Sequence, residues 1–309
     1  MAYRTRRTYR KRRPAFKRTY AKRRTPRRSY AKRRPYARRP RTMSRKRILN
    51  ITTEKKMDTM MMSSNVTAAR PTPAPTTYSN SEAILTGGNS DEYTFVWCAT
   101  ARTNLVNAGG SVGTKFTKST RTASEVYMRG LKEAIEIQSS SSLPWQWRRI
   151  CFTYKGFALE VPGSTGYSDN LIFSEGYRRV VNEIPVGSPR NTLYDTLFQG
   201  EKDVDWVDPL VAKTDPDIIT IRYDKTMTLS SGNEQGMIRK YMRWHPMNSK
   251  LIYDDDERGG SVNPSAYSAR ITSSMGDYYV VDIFRPRVGS TTSQQLLFRP
   301  LATLYWHEK

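Results

Sequence analysis

Tyr9, Tyr20, Tyr30 and Tyr36 each lead a run of cations that a proline closes: YRKRRP at residues 9–14, YAKRRTP at 20–26, YAKRRP at 30–35 and YARRP at 36–40. The chemistry open to such a repeat is polyanion binding. Arginine and lysine displace the counterions condensed on phosphates, and a tyrosine ring stacks on any unpaired base for about 1–3 kcal/mol. A duplex offers the same phosphates without open base faces, so the tyrosines favour single strands. Proline keeps each unit out of a helix. The candidate nucleic-acid ligands are Arg4, Arg6, Arg7, Tyr9, Arg10, Lys11, Arg12 and Arg13 in and before the first unit, then Lys17 and Arg18. Tyr20, Lys22, Arg23, Arg24, Arg27 and Arg28 follow, then Tyr30, Lys32, Arg33 and Arg34, and finally Tyr36, Arg38, Arg39, Arg41, Arg45, Lys46 and Arg47.

Charge is divided sharply along the 309 residues. The first 50 hold 23 of the 52 Lys and Arg and none of the 28 Asp and Glu, which leaves 29 basic against 28 acidic side chains in the remainder. A segment so self-repelling and so poor in aliphatic residues is expected to stay disordered until a polyanion neutralises it. Its clusters, Lys22-Arg23-Arg24 and Arg45-Lys46-Arg47 among them, also have the composition of nuclear-import signals, so a nuclear-import receptor is an expected partner. No apolar run reaches 18 residues and the amino terminus lacks a secretory signal, so synthesis inside a cell without membrane insertion is expected.

The rest of the chain must position and carry this arm. Residues 51–81, ending in the Ser/Thr/Ala/Pro-rich SSNVTAARPTPAPTTYSNS, suggest an extended spacer, with the folded domain over 82–309. Within that domain the period is mostly two. Tyr93, Phe95, Trp97 and Ala99 share one parity, and Ile219, Ile221, Tyr223 and Met227 share a face opposite Thr220, Arg222, Asp224 and Thr226. Residues 278–284 are apolar on both parities except Asp282, as in a strand covered on both sides. Leu296, Phe298, Ala302, Leu304 and Trp306 predict a long strand, bent at Pro300. In WQWRRICFTYKG, residues 145–156, the apolar parity changes at Arg148-Arg149, which predicts a β-bulge there, unless Trp145 and Trp147 belong to a preceding loop. Leu131, Ile135 and Ile137 read as strand. Ser188 as N-cap, Pro189 in the first turn and Gly200 beyond predict one short helix. About eight strands with one helix describe a sandwich or jelly roll.

Few residues suggest catalysis, and no enzymatic activity is expected. Cys98, Cys151, His245 and His307 stand singly, without zinc or disulfide spacing. GGSVGTK at 109–115 lacks the Lys-Ser/Thr ending of a phosphate loop and reads as a glycine-rich turn. Asp254, Asp255, Asp256 and Glu257 could collect a hard cation, though a solvated loop explains them as well, and Asp203, Asp205 and Asp208 raise the same question. Arg148 and Arg149 are candidate phosphate contacts beyond the arm. Trp206, Trp244 and Trp306 are candidates for either interface or core.

The arm, MSRKRILNITTEKKMDTMM at 43–61, RRICFTYKG at 148–156 and DYYVVDIFRPR at 277–287 together resemble the capsid protein of the genomoviruses, small circular single-stranded DNA viruses of the gemycircularvirus type, and more distantly geminivirus coat proteins. The resemblance implies an all-β, eight-stranded antiparallel jelly roll, an arm turned onto single-stranded DNA, no cofactor, and about 60 identical copies in an icosahedral shell. Roughly 60 arms would supply on the order of 1,400 positive charges, enough for most phosphates of a circle of about 2,000 nucleotides. The paired histidines and Walker loop of these viruses' replication initiators are missing. A cellular nucleic-acid-condensing or chromatin-associated protein, a basic tail on a β-sandwich, is the alternative.

Overall fold

The computed structural model describes residues 43–68, 70–71, 77–88, 91–156 and 167–309. Disorder expected over 1–42 concerns residues outside this set. The chain divides into Met1–Ser44 and a body, Arg45–Lys309.

Eight long strands build the body: β1 (Glu54–Met60), β2 (Tyr93–Cys98), β3 (Glu125–Ser139), β4 (Trp145–Tyr154), β5 (Thr220–Leu229), β6 (Met237–Ile252), β7 (Asp277–Pro286) and β8 (Gln295–Glu308). They pair as two sheets, in spatial order β1-β8-β3-β6 and β2-β7-β4-β5, and Ala83–Thr86 continues the β1 edge along β8. Every neighbouring pair in these sheets is antiparallel. The chain changes sheet after each long strand except between β4 and β5, which is the path of an eight-stranded jelly roll. Among the described residues two helices accompany the strands, α1 (Arg45–Thr52) and α2 (Ser188–Leu197). No helix among the described residues is long and apolar enough to cross a membrane.

The two sheets are buried differently. Between them Trp97, Cys151, Tyr278 and Val280 meet Met128, Leu131, Leu304 and Trp306, while Phe95, Trp147 and Phe284 meet Ile135, Ile137 and Phe298. The opposite parity of the second sheet, Val96, Cys98, Ile150, Phe152, Tyr279, Val281 and Ile283, packs under Leu193, Tyr194 and Leu197 of α2 and the following Phe198, Trp206 and Leu210. This sheet is therefore apolar on both faces, as residues 278–284 suggest. Among the described residues the outer face of the first sheet has no such cover and exposes Tyr127, Met242 and Trp244.

Several expectations need correction. The spacer expected over 51–81 is not a spacer at 54–64: β1 is an edge strand of the first sheet, and Met62–Ser64 pairs in parallel with Arg179–Val181. The inward positions of β1 are Lys56, Asp58 and Met60, so the strand lacks an apolar alternation. Lys56 donates to Thr120 O at 2.8 Å and lies 3.3 Å from Glu308, while Arg102 pairs with Asp58 at 3.3 Å and covers Trp306 at 4.7 Å. The last residues of the arm, from Arg45, are helical in α1.

The bulge expected at Arg148-Arg149 is absent as well. β4 runs unbroken against β7, and the register shift falls on β5 between Ile221 and Tyr223. Trp145, Trp147 and Cys151 all face the gap between sheets, while Ile150 and Phe152 face α2. The apparent change of parity comes from an arginine, Arg149, on the inward apolar face. The shift in β5 also divides the supposed single face, since Ile219 and Ile221 pack on the α2 side and Tyr223 and Met227 between the sheets. At α2 the helix is as expected, but its N-cap is Gly187 rather than Ser188.

Candidate nucleic-acid interface

The arm candidates from Arg4 to Arg41 lie outside the described residues. Arg45, Lys46 and Arg47 form the first turn of α1, which runs through Thr52 almost directly into β1, so the cationic segment is joined covalently to a sheet edge.

Arg148 and Arg149 are not presented to a phosphate, which corrects that expectation. Arg148 grips Asp224 with Nε at 2.9 Å and Nη2 at 2.7 Å, and its Nη1 donates to the carbonyls of Pro209 and Ala212. Arg149 is fully buried and donates to both carboxylate oxygens of Asp282, at 2.7 and 2.8 Å, and to Glu133 at 2.6 Å. Arg179 closes the ring onto the same two carboxylates at 3.1 and 3.3 Å, stacked on Trp97, and Trp147 Nε1 adds a bond to Asp282 at 2.8 Å. Two guanidiniums thus balance two carboxylates between the sheets. Burial alone would raise the Asp282 carboxyl, but Arg149, Arg179 and Trp147 hold it below the usual range. His245, 3.7 Å from Glu133, is pushed down to about 4 by burial and stays neutral.

The acidic loop is divided in the same way. Asp255 takes a bidentate grip from Arg121 at 2.6 and 2.9 Å and bonds from Ser124 and the Ser265 amide, while Asp254, Asp256 and Glu257 face solvent. Asp208 pairs with Arg285 at 2.6 Å, and Asp205 accepts from the Glu201 amide. Among the described residues no three His, Cys, Asp or Glu side chains converge as a metal site. Both cysteines are buried free thiols. Of the tryptophan candidates, Trp206 and Trp306 belong to the core and Trp244 is 50% exposed.

A cleft that the pattern of the sequence does not reveal lies beside this tryptophan's sheet. It is an open depression of about 410 Å³, lined by Lys155, Arg222 and Lys250, by hydroxyls that include Thr153, Thr220 and Thr272, and by Tyr127, with no carboxylate in its wall among the described residues. Its cations come from β5, β6 and the end of β4, far apart in the chain, so only the fold brings them together. The chain matches no protein-family model, and no curated protein is significantly similar to it.

Proposed function

We propose that this chain is a structural protein of a small circular single-stranded DNA virus, similar to the genomovirus capsid proteins. It assembles with copies of itself into a closed shell and packages the genome through its Arg/Tyr arm. The observation that carries the reading is the union of two parts: a jelly-roll body with nearly balanced charge, and an arm in which 23 cations occur without one anion. Subunits that pack side by side cannot carry strong like charge, whereas a segment that neutralises phosphates must. The same basic clusters serve import into the host nucleus, where such a genome is packaged. No cofactor and no catalytic role are assigned.

The test is the particle. Full-length protein purified with its nucleic acid is expected to sediment as uniform closed shells by electron microscopy, with single-stranded DNA that resists nuclease until the shell is opened. Monomers or dimers that merely aggregate DNA would refute the reading in favour of a cellular condensing protein. Metal-dependent cleavage or joining of DNA by the pure protein would refute it in favour of an enzyme.

A further inference from the structure

We propose that the body itself holds single-stranded nucleic acid, with phosphates in the Lys155/Arg222/Lys250 cleft and bases stacked on Tyr127, Tyr305 and Trp244 of the open sheet face. The inference rests on the proposed function but assigns a second, ordered site to a part of the chain that net charge marks as neutral.

Tyr127 connects the two features, because it lines the cleft and is also exposed on the outer face of the first sheet. Strand register sets out that face in rows. One row runs Lys55, His307, Tyr127, Lys250; the next Met57, Tyr305, Gly130, Pro246; the next Thr59, Thr303, Lys132, Trp244. Consecutive same-face rows lie about 7 Å apart, so the aromatic positions form a track from the cleft across the sheet. Gly130 makes room for it. A Cβ there would come within 2.7 Å of Trp244 Cζ2, so the indole lies over the glycine, its ring 5.8 Å from that of Tyr305.

Charge complements the track. Lys55, Arg129 and Lys132 are exposed around the rings, and among the described residues Arg129 donates to Asn248 at 2.6 Å rather than to a carboxylate. Glu125 is matched by Lys250 at 2.8 Å, and Glu136 by Lys240 and Arg299 further along the sheet. His307, in the Tyr127 row, is lowered first by burial and then by the neighbouring Arg129 and Lys55. Cations beside sequence-tolerant stacking surfaces are what a single strand requires. Lys155, Arg222 and the hydroxyls of the cleft supply donors to a phosphate, which only accepts, while Lys250 is held by Glu125.

The experiment uses the full-length chain with an oligothymidylate of roughly 20 nucleotides carrying 5-iodouracil, photo-cross-linked and mapped by mass spectrometry. Cross-links at Tyr127, Tyr305 or Trp244 are expected in addition to those on the arm tyrosines, and a duplex of equal length should greatly reduce them. Trp244→Ala and the pair Lys155→Glu/Arg222→Glu should each lower the body cross-links at least about fivefold and leave the arm cross-links unchanged, since one lost stacking ring carries about that factor. Cross-links confined to residues 1–47 would overturn the inference and leave the arm reading intact. Body cross-links without arm cross-links would instead fail the arm reading alone. Loss of shell assembly in Trp244→Ala with unchanged body cross-linking would also overturn the inference and make this face a contact between copies.

Discussion

Replacing Arg149 with methionine separates a structural arginine from a DNA-binding one. The guanidinium is fully buried and donates to Asp282 twice and to Glu133 once, all within 2.8 Å. Methionine fills similar volume but leaves two carboxylates facing one remaining guanidinium, Arg179. Removing one partner of a buried pair costs about 3–5 kcal/mol, and a body of this size loses roughly 2–4 °C of melting temperature per kcal/mol. The expected drop in Tm is therefore on the order of 6–20 °C, read by circular dichroism on the full-length chain. Arg149→Lys keeps the charge but loses the two-pronged geometry, so it should fall between methionine and wild type. In parallel, the slope of log affinity against log salt for oligothymidylate, measured below the melting range, should not change, because Arg149 neutralises no phosphate. A melting temperature within about 2 °C of wild type, or a slope reduced by about one as for a lost phosphate contact, would refute this account of Arg149.

Deleting residues 1–44, up to the start of α1, should leave the melting temperature of the body within a few degrees of the full chain and abolish nuclease-protected DNA; a large loss of Tm would contradict the division between arm and body. Burial pushes the Glu183 carboxyl up to about 8, against an ordinary 4.5, despite Arg190 nearby. The folded state then holds its proton where the unfolded state has lost it, so this group makes stability fall as pH rises from about 4.5 to 8. Glu183→Gln should melt like wild type at pH 5 and above it at pH 8, with a gap on the order of 2–4 kcal/mol, and equal melting at both pH values would contradict the assignment. Gly130 has φ +155°, and a Cβ there would lie 2.6 Å from His245 O, so Gly130→Ala should cost about 1–3 kcal/mol and shift Trp244 fluorescence to longer wavelength as the ring is lifted.

The sequence exposes the strands and the helix wherever burial is apolar. β7, β8 and α2 are legible because Tyr278 to Phe284, Leu296 to Trp306 and Leu193 to Phe198 repeat at the period of their element. It hides them where burial is ionic. β1 reads as spacer because its inward positions are Lys56 and Asp58, whose partners Glu308 and Arg102 lie elsewhere in the chain. Arg149 imitates a bulge for the same reason, since nothing near it in sequence announces Asp282 or Glu133. The arm is the reverse case, its chemistry being wholly local in its repeats. The cleft at Lys155, Arg222 and Lys250 is legible only in three dimensions, because three single cations far apart in the chain have no spacing to recognise.

The attachment of α1 to β1 has a mechanical consequence. Under the proposed function, tension on the arm would reach the body at Glu54, the first residue of an edge strand paired with β8. Two residues in, Lys56 is anchored by Thr120 and Glu308, and two further on Asp58 is anchored by Arg102. In that reading these ion pairs would act as rivets at the point of load, so a pull on the arm would meet electrostatic anchors before it could begin to peel the sheet.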